Sequence, residues 1–153
     1  MKPGVIRFWL VMVLGMSACM PSIPPTLTPK AAPANPALKT AVGDLTVASA
    51  RRVDEVNGAQ AESGEKILLV ILTQPGGTKL APETFPLEAF QKALQDVSNG
   101  QVHISTDAGA EAICSMAGWV EKEFAMGFRV PVTAKTYTLF WPGNEPLAVV
   151  PED

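Results

Sequence analysis

The run Ile67-Leu-Leu-Val-Ile-Leu72, set between Lys66 and Thr73, constrains the fold more than any other stretch of the chain. Its six apolar residues show no polar alternation, so neither face of an extended segment is suited to water. The run falls far short of the ~20 apolar residues that cross a bilayer as a helix, and Pro75-Gly76-Gly77 stops it. A strand buried on both faces satisfies these conditions.

The sequence around it reads as further strands. Val42 to Ala50 opens the folded part, with Leu45 and Val47 alternating about Thr46. Asn57-Gly58 and Ser63-Gly64 mark turns. Val102 to Thr106 alternates again, and Asp107-Ala108-Gly109 suits a three-residue hairpin loop with glycine at the left-handed position. Pairing Thr106 with Ala110 sets the register. Val102 and Ile104 then oppose Cys114 and Ala112 on one face, and His103 opposes Ile113 on the other. Phe124, Phe128 and Val130 mark a strand that Pro131 ends or bends. Tyr137 to Trp141 and Leu147 to Val150 supply two more.

One helix is expected. Leu87, Phe90, Leu94 and Val97 fall on one face at helical spacing, with Gln91, Lys92 and Gln95 off it. Thr84 suits a cap, Pro86 the first turn, and Asn99-Gly100 the end. Short strands, frequent turn signals and a single helix predict a mainly β domain, a sandwich or barrel, with the helix across an end or edge of a sheet.

Four segments carry a family likeness: Val42-Gly43-Asp44-Leu45-Thr46-Val47, the strand from Lys66 to Leu72, Phe128-Arg129-Val130-Pro131, and Tyr137-Thr138-Leu139-Phe140-Trp141. Together they resemble the immunoglobulin-like domains of many bacterial lipoproteins and secreted antigens, over most of residues 40–150. The family typically has Asn near the turn after its buried strand. Here Gln74-Pro75-Gly76-Gly77 stands there, and the helical segment intervenes. The resemblance implies an immunoglobulin-like β-sandwich with one short helix. Most members of the family have no established activity, so it implies location and fold more than function.

The N-terminus agrees with that location. Lys2 and Arg7 precede an apolar run from Phe8 to Leu14, followed by the small residues Gly15, Ser17 and Ala18 and then Cys19. This is the pattern of an export signal, expected to occupy residues 1–18. Met16-Ser17-Ala18-Cys19 resembles the lipobox of bacterial lipoproteins. That resemblance implies cleavage before Cys19 and a diacylglyceryl group on its sulfur, holding the protein in the cell envelope on the extracytoplasmic side of a membrane. Two or more acyl chains anchor stably where a single chain holds only marginally. A plain secretory signal is the alternative. Residues 19–37 hold six of the 14 prolines and are expected to form a disordered, extended tether of up to roughly 50 Å at about 3.1 Å per residue. Residues 38–153 are expected to form the domain.

Charge and residue usage narrow the function classes. Without Lys2 and Arg7 the chain carries 10 basic and 15 acidic side chains, a net charge of −5, and every acid lies at or after Asp44. Such a body does not suit nucleic acid, which rewards clustered Lys and Arg. With Cys19 lipidated, Cys114 is the remaining thiol, and its apolar neighbours suit a buried, unreactive group. The sole histidine, His103, falls on the opposite strand face from Cys114, so the two do not form a nucleophile pair. One histidine and one buried thiol do not build a zinc site, no EF-hand spacing is present, and no cofactor or metal is expected. Glycine-bearing segments at Gly64 and Gly76-Gly77 lack the context of a phosphate loop.

Trp119, Trp141 and Asn144 are the candidate ligand-binding residues. Trp119 is expected at a turn beside Gly118, and Trp141-Pro142-Gly143-Asn144 where a strand enters a turn; exposed Trp at such places anchors recognition. The alternative is that both rings plug the ends of the core. The expected function is a non-enzymatic binding or interaction domain on a lipid anchor, its partner an envelope protein or a small molecule of unknown kind. A periplasmic enzyme using loop carboxylates and a solute-sensing accessory domain are the alternatives.

Overall fold

The computed structural model describes residues 36–96 and 102–152. Cys19, the signal segment, the tether up to residue 35, Val97 and Asn99-Gly100 lie outside them. Within the described residues the strands are β1 (Leu38–Thr40), β2 (Gly43–Val53), β3 (Glu55–Val56), β4 (Ala59–Gln60), β5 (Glu65–Thr73), β6 (His103–Thr106), β7 (Glu111–Val120), β8 (Glu123–Pro131), β9 (Tyr137–Phe140) and β10 (Leu147–Val149). The helix α1 spans Leu87–Asp96. It is not long and apolar enough to cross a membrane.

The apolar run forms β5, which pairs with β2 on one side and β8 on the other. Its side chains from Ile67 to Leu72 are all at most 3% exposed. Leu68, Val70 and Leu72 face the larger core, among Phe90, Phe124, Phe128, Tyr137 and Leu139. Ile67, Leu69 and Ile71 face a smaller cluster with Val56, Val120 and Ala125. The cover on that side comes from the hairpin β3–β4, turned by Asn57 and Gly58 at φ 46° and 81°. Two positive φ values in a two-residue loop define a type I′ turn, for which Asn-Gly is the favoured pair.

The main sheet is antiparallel with the order β1-β2-β5-β8-β7-β6-β9-β10. Strands β6, β7 and β8 follow one another as hairpins, and β9 returns beside β6. The spatial order β9-β6-β7-β8 is a Greek key. In a flat sheet β8 and β9 would lie three strand spacings apart, ~14 Å. Residues 132–136 join them while folding back on themselves, with Ala134 N–H donating to Pro131 O. The sheet curls to bring the two strands within reach. The ends of the curl are tied: Glu152 N–H donates to Ala50 O at 2.7 Å, and Asn144 bonds the backbone of Lys39.

Two bulges re-phase the strands. In β2 the register shifts between Val47 and Ser49. Leu45 and Val47 face the larger core before the shift, and Ala50 after it. In β7 the shift falls between Cys114 and Met116, and the Ser115 hydroxyl donates to Gly127 O. Ala112 and Cys114 face the larger core before it; beyond it Ala117 and Trp119 do, while Met116 and Val120 turn to the smaller cluster. An extra residue inverts the alternation of everything that follows.

The β6–β7 hairpin has the expected register. His103 opposes Ile113, Ile104 opposes Ala112, and Thr106 N–H donates to Ala110 O. Gly109, at φ 76°, closes the three-residue loop. Trp119 departs from expectation: it lies within β7, opposite Phe124. The turn falls two residues later, at Glu121 and Lys122 with φ 49° and 69°. Val120 and Phe124 are both buried, so only the two charged residues are left for the loop. They adopt the left-handed region at a cost of roughly 1–2 kcal/mol each.

The start of α1 also differs from expectation. Phe90 N–H donates to Pro86 O, which makes Pro86 the cap residue and Leu87 the first helical residue. Thr84 does not cap; its hydroxyl donates back to Ala81 O. The cause is Phe85, whose ring meets that of Phe90 with centroids 5.7 Å apart. A hydrophobic residue just before the cap packing on the fourth helical residue is a hydrophobic staple, and it fixes the angle at which the chain enters the helix.

Candidate functional site

Phe85 is the centre of an aromatic cluster where the entry to α1 packs on β7 and β8. Its ring centroid is 4.5 Å from Phe124 and 6.1 Å from Trp119, edge-on. Phe90 continues the chain of contacts to Phe124 at 5.0 Å and to Trp141 at 5.8 Å. Trp119 and Phe124, cross-strand neighbours, are 5.4 Å apart. Tilted and edge-to-face pairs of this kind contribute about 0.5–1.5 kcal/mol each beyond their buried area.

The expected ligand-binding residues are therefore placed as follows. Trp141 is 8% exposed, packed on Phe90. Trp119 is half-buried, with its ring against Phe85 and Phe124. Asn144 lies beside β1: its Oδ1 accepts from Lys39 N–H at 2.7 Å, and its Nδ2 donates to Lys39 O at 3.0 Å and to Pro142 O at 3.2 Å. The amide stands in for a neighbouring strand along the sheet edge. The aromatic cluster links the two tryptophans; Asn144 works elsewhere, at the join between β1 and the β9–β10 loop.

Beside Phe85 opens a cavity of about 490 Å³, walled by Val42, Asp44 and Leu45 from the β1–β2 hairpin, Gln74 and Pro75 after β5, and Leu80 and Thr84 to Pro86 before α1. Its lining mixes apolar side chains with polar groups, and the polar surface is the larger share. Asp44 is the only ionisable side chain among these lining residues, with the Gln74 amide and Thr84 hydroxyl as the other polar groups. The sequence signals for this site are the Phe85–Phe90 spacing and Pro75-Gly76-Gly77. Neither shows that the loop after β5 and the first hairpin come together, because that depends on the pairing of Thr46 with Thr73.

Of the titratable groups elsewhere, Arg129 lies 3.8 Å from both Glu62 and Glu65 at the start of β5. Cys114 is largely buried, burial pushes its thiol up to about 11, and its Sγ donates to Met116 O. A thiol so shifted is a poor nucleophile at neutral pH. His103 is half-buried on the other face of the sheet, its ring stacked 4.9 Å from Phe140. The Asp107 carboxylate accepts N–H bonds from Lys135 and Thr136, and these hold it below the usual carboxylate range. Exposed ion pairs join Arg51 to Glu121, Lys66 to Asp54 and Lys79 to Glu123. Among the described residues, no three His, Cys, Asp or Glu side chains are grouped to hold a metal ion. A cleft of mixed lining with one carboxylate is suited to binding a small body that offers both polar and apolar groups.

Comparison of the chain with protein-family models, curated proteins and solved structures finds no match in any of the three.

Proposed function

We propose that the chain is a lipid-anchored protein of the bacterial cell envelope, and that its folded part is an immunoglobulin-like β-sandwich acting by binding rather than by catalysis. The observation that carries the binding role is the cavity beside Phe85, held between the first hairpin and the loop entering α1. A scaffold of paired strands keeps its walls in place. The sandwich reading is supported by the Greek-key order β9-β6-β7-β8, a connection found in most β-sandwiches. The anchor is supported by Met16-Ser17-Ala18-Cys19 at the end of the apolar run.

Metabolic labelling with radioactive palmitate tests the anchor. The wild-type chain takes up label and Cys19→Ala takes up none; equal labelling of the two overturns attachment at this residue. For the binding role, a photoreactive side chain at position 42, on the cavity wall, crosslinks a discrete envelope component in intact cells. Absence of any crosslink there overturns binding at this cavity.

A further inference from the structure

We infer that the side-chain amides of Gln91 and Asn57 seal an open edge of β7 against strand pairing with a second copy of this chain. Backbone N–H and C=O groups point alternately to the two sides of a strand. The two-residue loop Glu121-Lys122 makes Val120 and Glu123 the closing pair of the β7–β8 hairpin. Met116, Gly118 and Val120 therefore turn their backbone groups to β8, and Ala117 and Trp119 turn theirs to the opposite side. On that side β6 pairs with Glu111 to Ile113, and one further bond joins Cys114 N–H to Val102 O. Among the described residues, no strand lies beside Ala117 and Trp119 there.

An edge of this kind is a template for a further strand. Both outward carbonyls are taken by amides from different elements. Gln91 Nε2, on α1, donates to Ala117 O at 3.0 Å, and Asn57 Nδ2, in the β3–β4 turn, donates to Trp119 O at 3.0 Å. Asn144 acts in the same way at the edge strand β1, where it covers both Lys39 N–H and Lys39 O. On β7 the cover is half as complete: the N–H groups of Ala117 and Trp119 have no partner among the described residues. The body of α1 does not fill this side, since a cleft of about 450 Å³ lies between Gln91 and Leu94 and the stretch from Ser115 to Ala117. The amides therefore hold off what the helix leaves room for. The strand they exclude is a second β7, because the edge is self-complementary. About a two-fold axis at Gly118, Ala117 of one copy meets Trp119 of the other, and four N–H···O=C bonds close once the amides leave. The two Gly118 residues then face each other as a non-hydrogen-bonded pair with Cα atoms ~4.5 Å apart. Within one copy, a Cβ at Gly118 meets nothing within 4 Å.

The test uses the full chain in detergent micelles with Gly118→Cys as the reporter, since a non-hydrogen-bonded pair lies within disulfide reach. Copper phenanthroline supplies the oxidant, and non-reducing gels read the dimer. Gln91→Met removes the donor from an exposed helix position and keeps the length of the side chain; Asn57→Gly keeps the left-handed turn. One hydrogen bond is worth about fivefold in an equilibrium, and a pair of copies carries two of each amide. Either substitution therefore raises association about 25-fold, and the two together raise it several hundredfold. Ala117→Pro removes an outward N–H that a single copy leaves unused, and it abolishes the dimer. Amide exchange gives a second reading without the reporter: Ala117 and Trp119 slow as the variant lacking both amides associates. Equal crosslinking with and without the amides overturns the inference. So does a dimer that survives Ala117→Pro, which forms through another surface, or fast exchange at Ala117 and Trp119 in an associated variant. Should the double variant lose its native circular dichroism, Gln91→Met alone decides: a dimer no stronger than that of the unaltered edge overturns the seal.

Discussion

The two faces of β5 are equally apolar and unequally covered. On one, Leu68, Val70 and Leu72 meet a core drawn from most of the other strands of the curled sheet and from α1. On the other, Ile67, Leu69 and Ile71 are covered by Val56, Val120 and Ala125, with Val53, Ala61 and Met116 at the margin. The first cover is built from long ladders that close on one another. The second is a hairpin of two paired rows, tied back by Asn57 Nδ2 to Trp119 O at 3.0 Å and by Ala61 N–H to Asp54 O. A cleft of about 300 Å³, lined in part by Leu69, Val56 and Val120, already opens beneath it. Equal burial of side chains thus does not mean equal resistance to losing one, because the cost of a cavity depends on how far its surroundings can collapse or admit water.

The largest test of this difference is a matched pair. Leu68→Ala is expected to cost about 4–5 kcal/mol and Leu69→Ala about 2–3 kcal/mol, read from denaturant unfolding. Equal losses would show that the hairpin seals its side as firmly as the main core. Gly127→Ala comes next. A Cβ there would run into Met116 Cγ, and into its Sδ at 2.9 Å, in the space between β7 and β8 on the thin side. Overpacking of this kind costs about 1–3 kcal/mol. The double variant with Met116→Ala should recover part of the loss, and strict additivity would place the strain elsewhere.

Asn57→Gly keeps the left-handed turn and removes the amide that reaches Trp119. A loss of about 0.5–1.5 kcal/mol is expected. Amide exchange should quicken in Val56 and Ala59 and stay unchanged in β5 and β8; quickening throughout would show that the hairpin is integral to the sheet. The smallest effect is expected at Asp107, which fastens the β6–β7 loop to the β8–β9 crossing on the thick side. Its carboxyl is held below its unfolded value, so its stabilisation is present above that value and is lost as pH falls through the folded one. Asp107→Asn should flatten the acid limb of the stability curve slightly, and a curve of unchanged slope would remove Asp107 from the linkage.

Much of the fold was legible from local patterns. The β5 run, the β6–β7 register, the Asn57-Gly58 turn and the body of α1 follow from periodicity and turn chemistry, which act over a few residues. The hairpin β1–β2 is not legible in the sequence because its two-residue loop, Ala41-Val42, carries no turn residue of its own. Trp119 differs from expectation because Gly118 signals a turn, while the pairing of Trp119 with Phe124 puts that glycine inside a strand. The bulges at Ala48 and Ser115 left no mark that composition reveals. Of the site, Trp119 and Trp141 were visible as large aromatics, but not Phe85 as the ring that joins the helix to the cavity.

The sequence by itself determined, for the described residues, a doubly buried strand, a mainly β body, one amphipathic helix and a net negative charge. These follow from side-chain chemistry read over short windows. Only the tertiary structure decided which face of β5 is deeply covered, which way Trp119 points after the Ser115 bulge, and that Asp44, Gln74 and Phe85 share one cavity. Those outcomes depend on pairing between distant segments, where inserting one residue turns every later side chain to the opposite face.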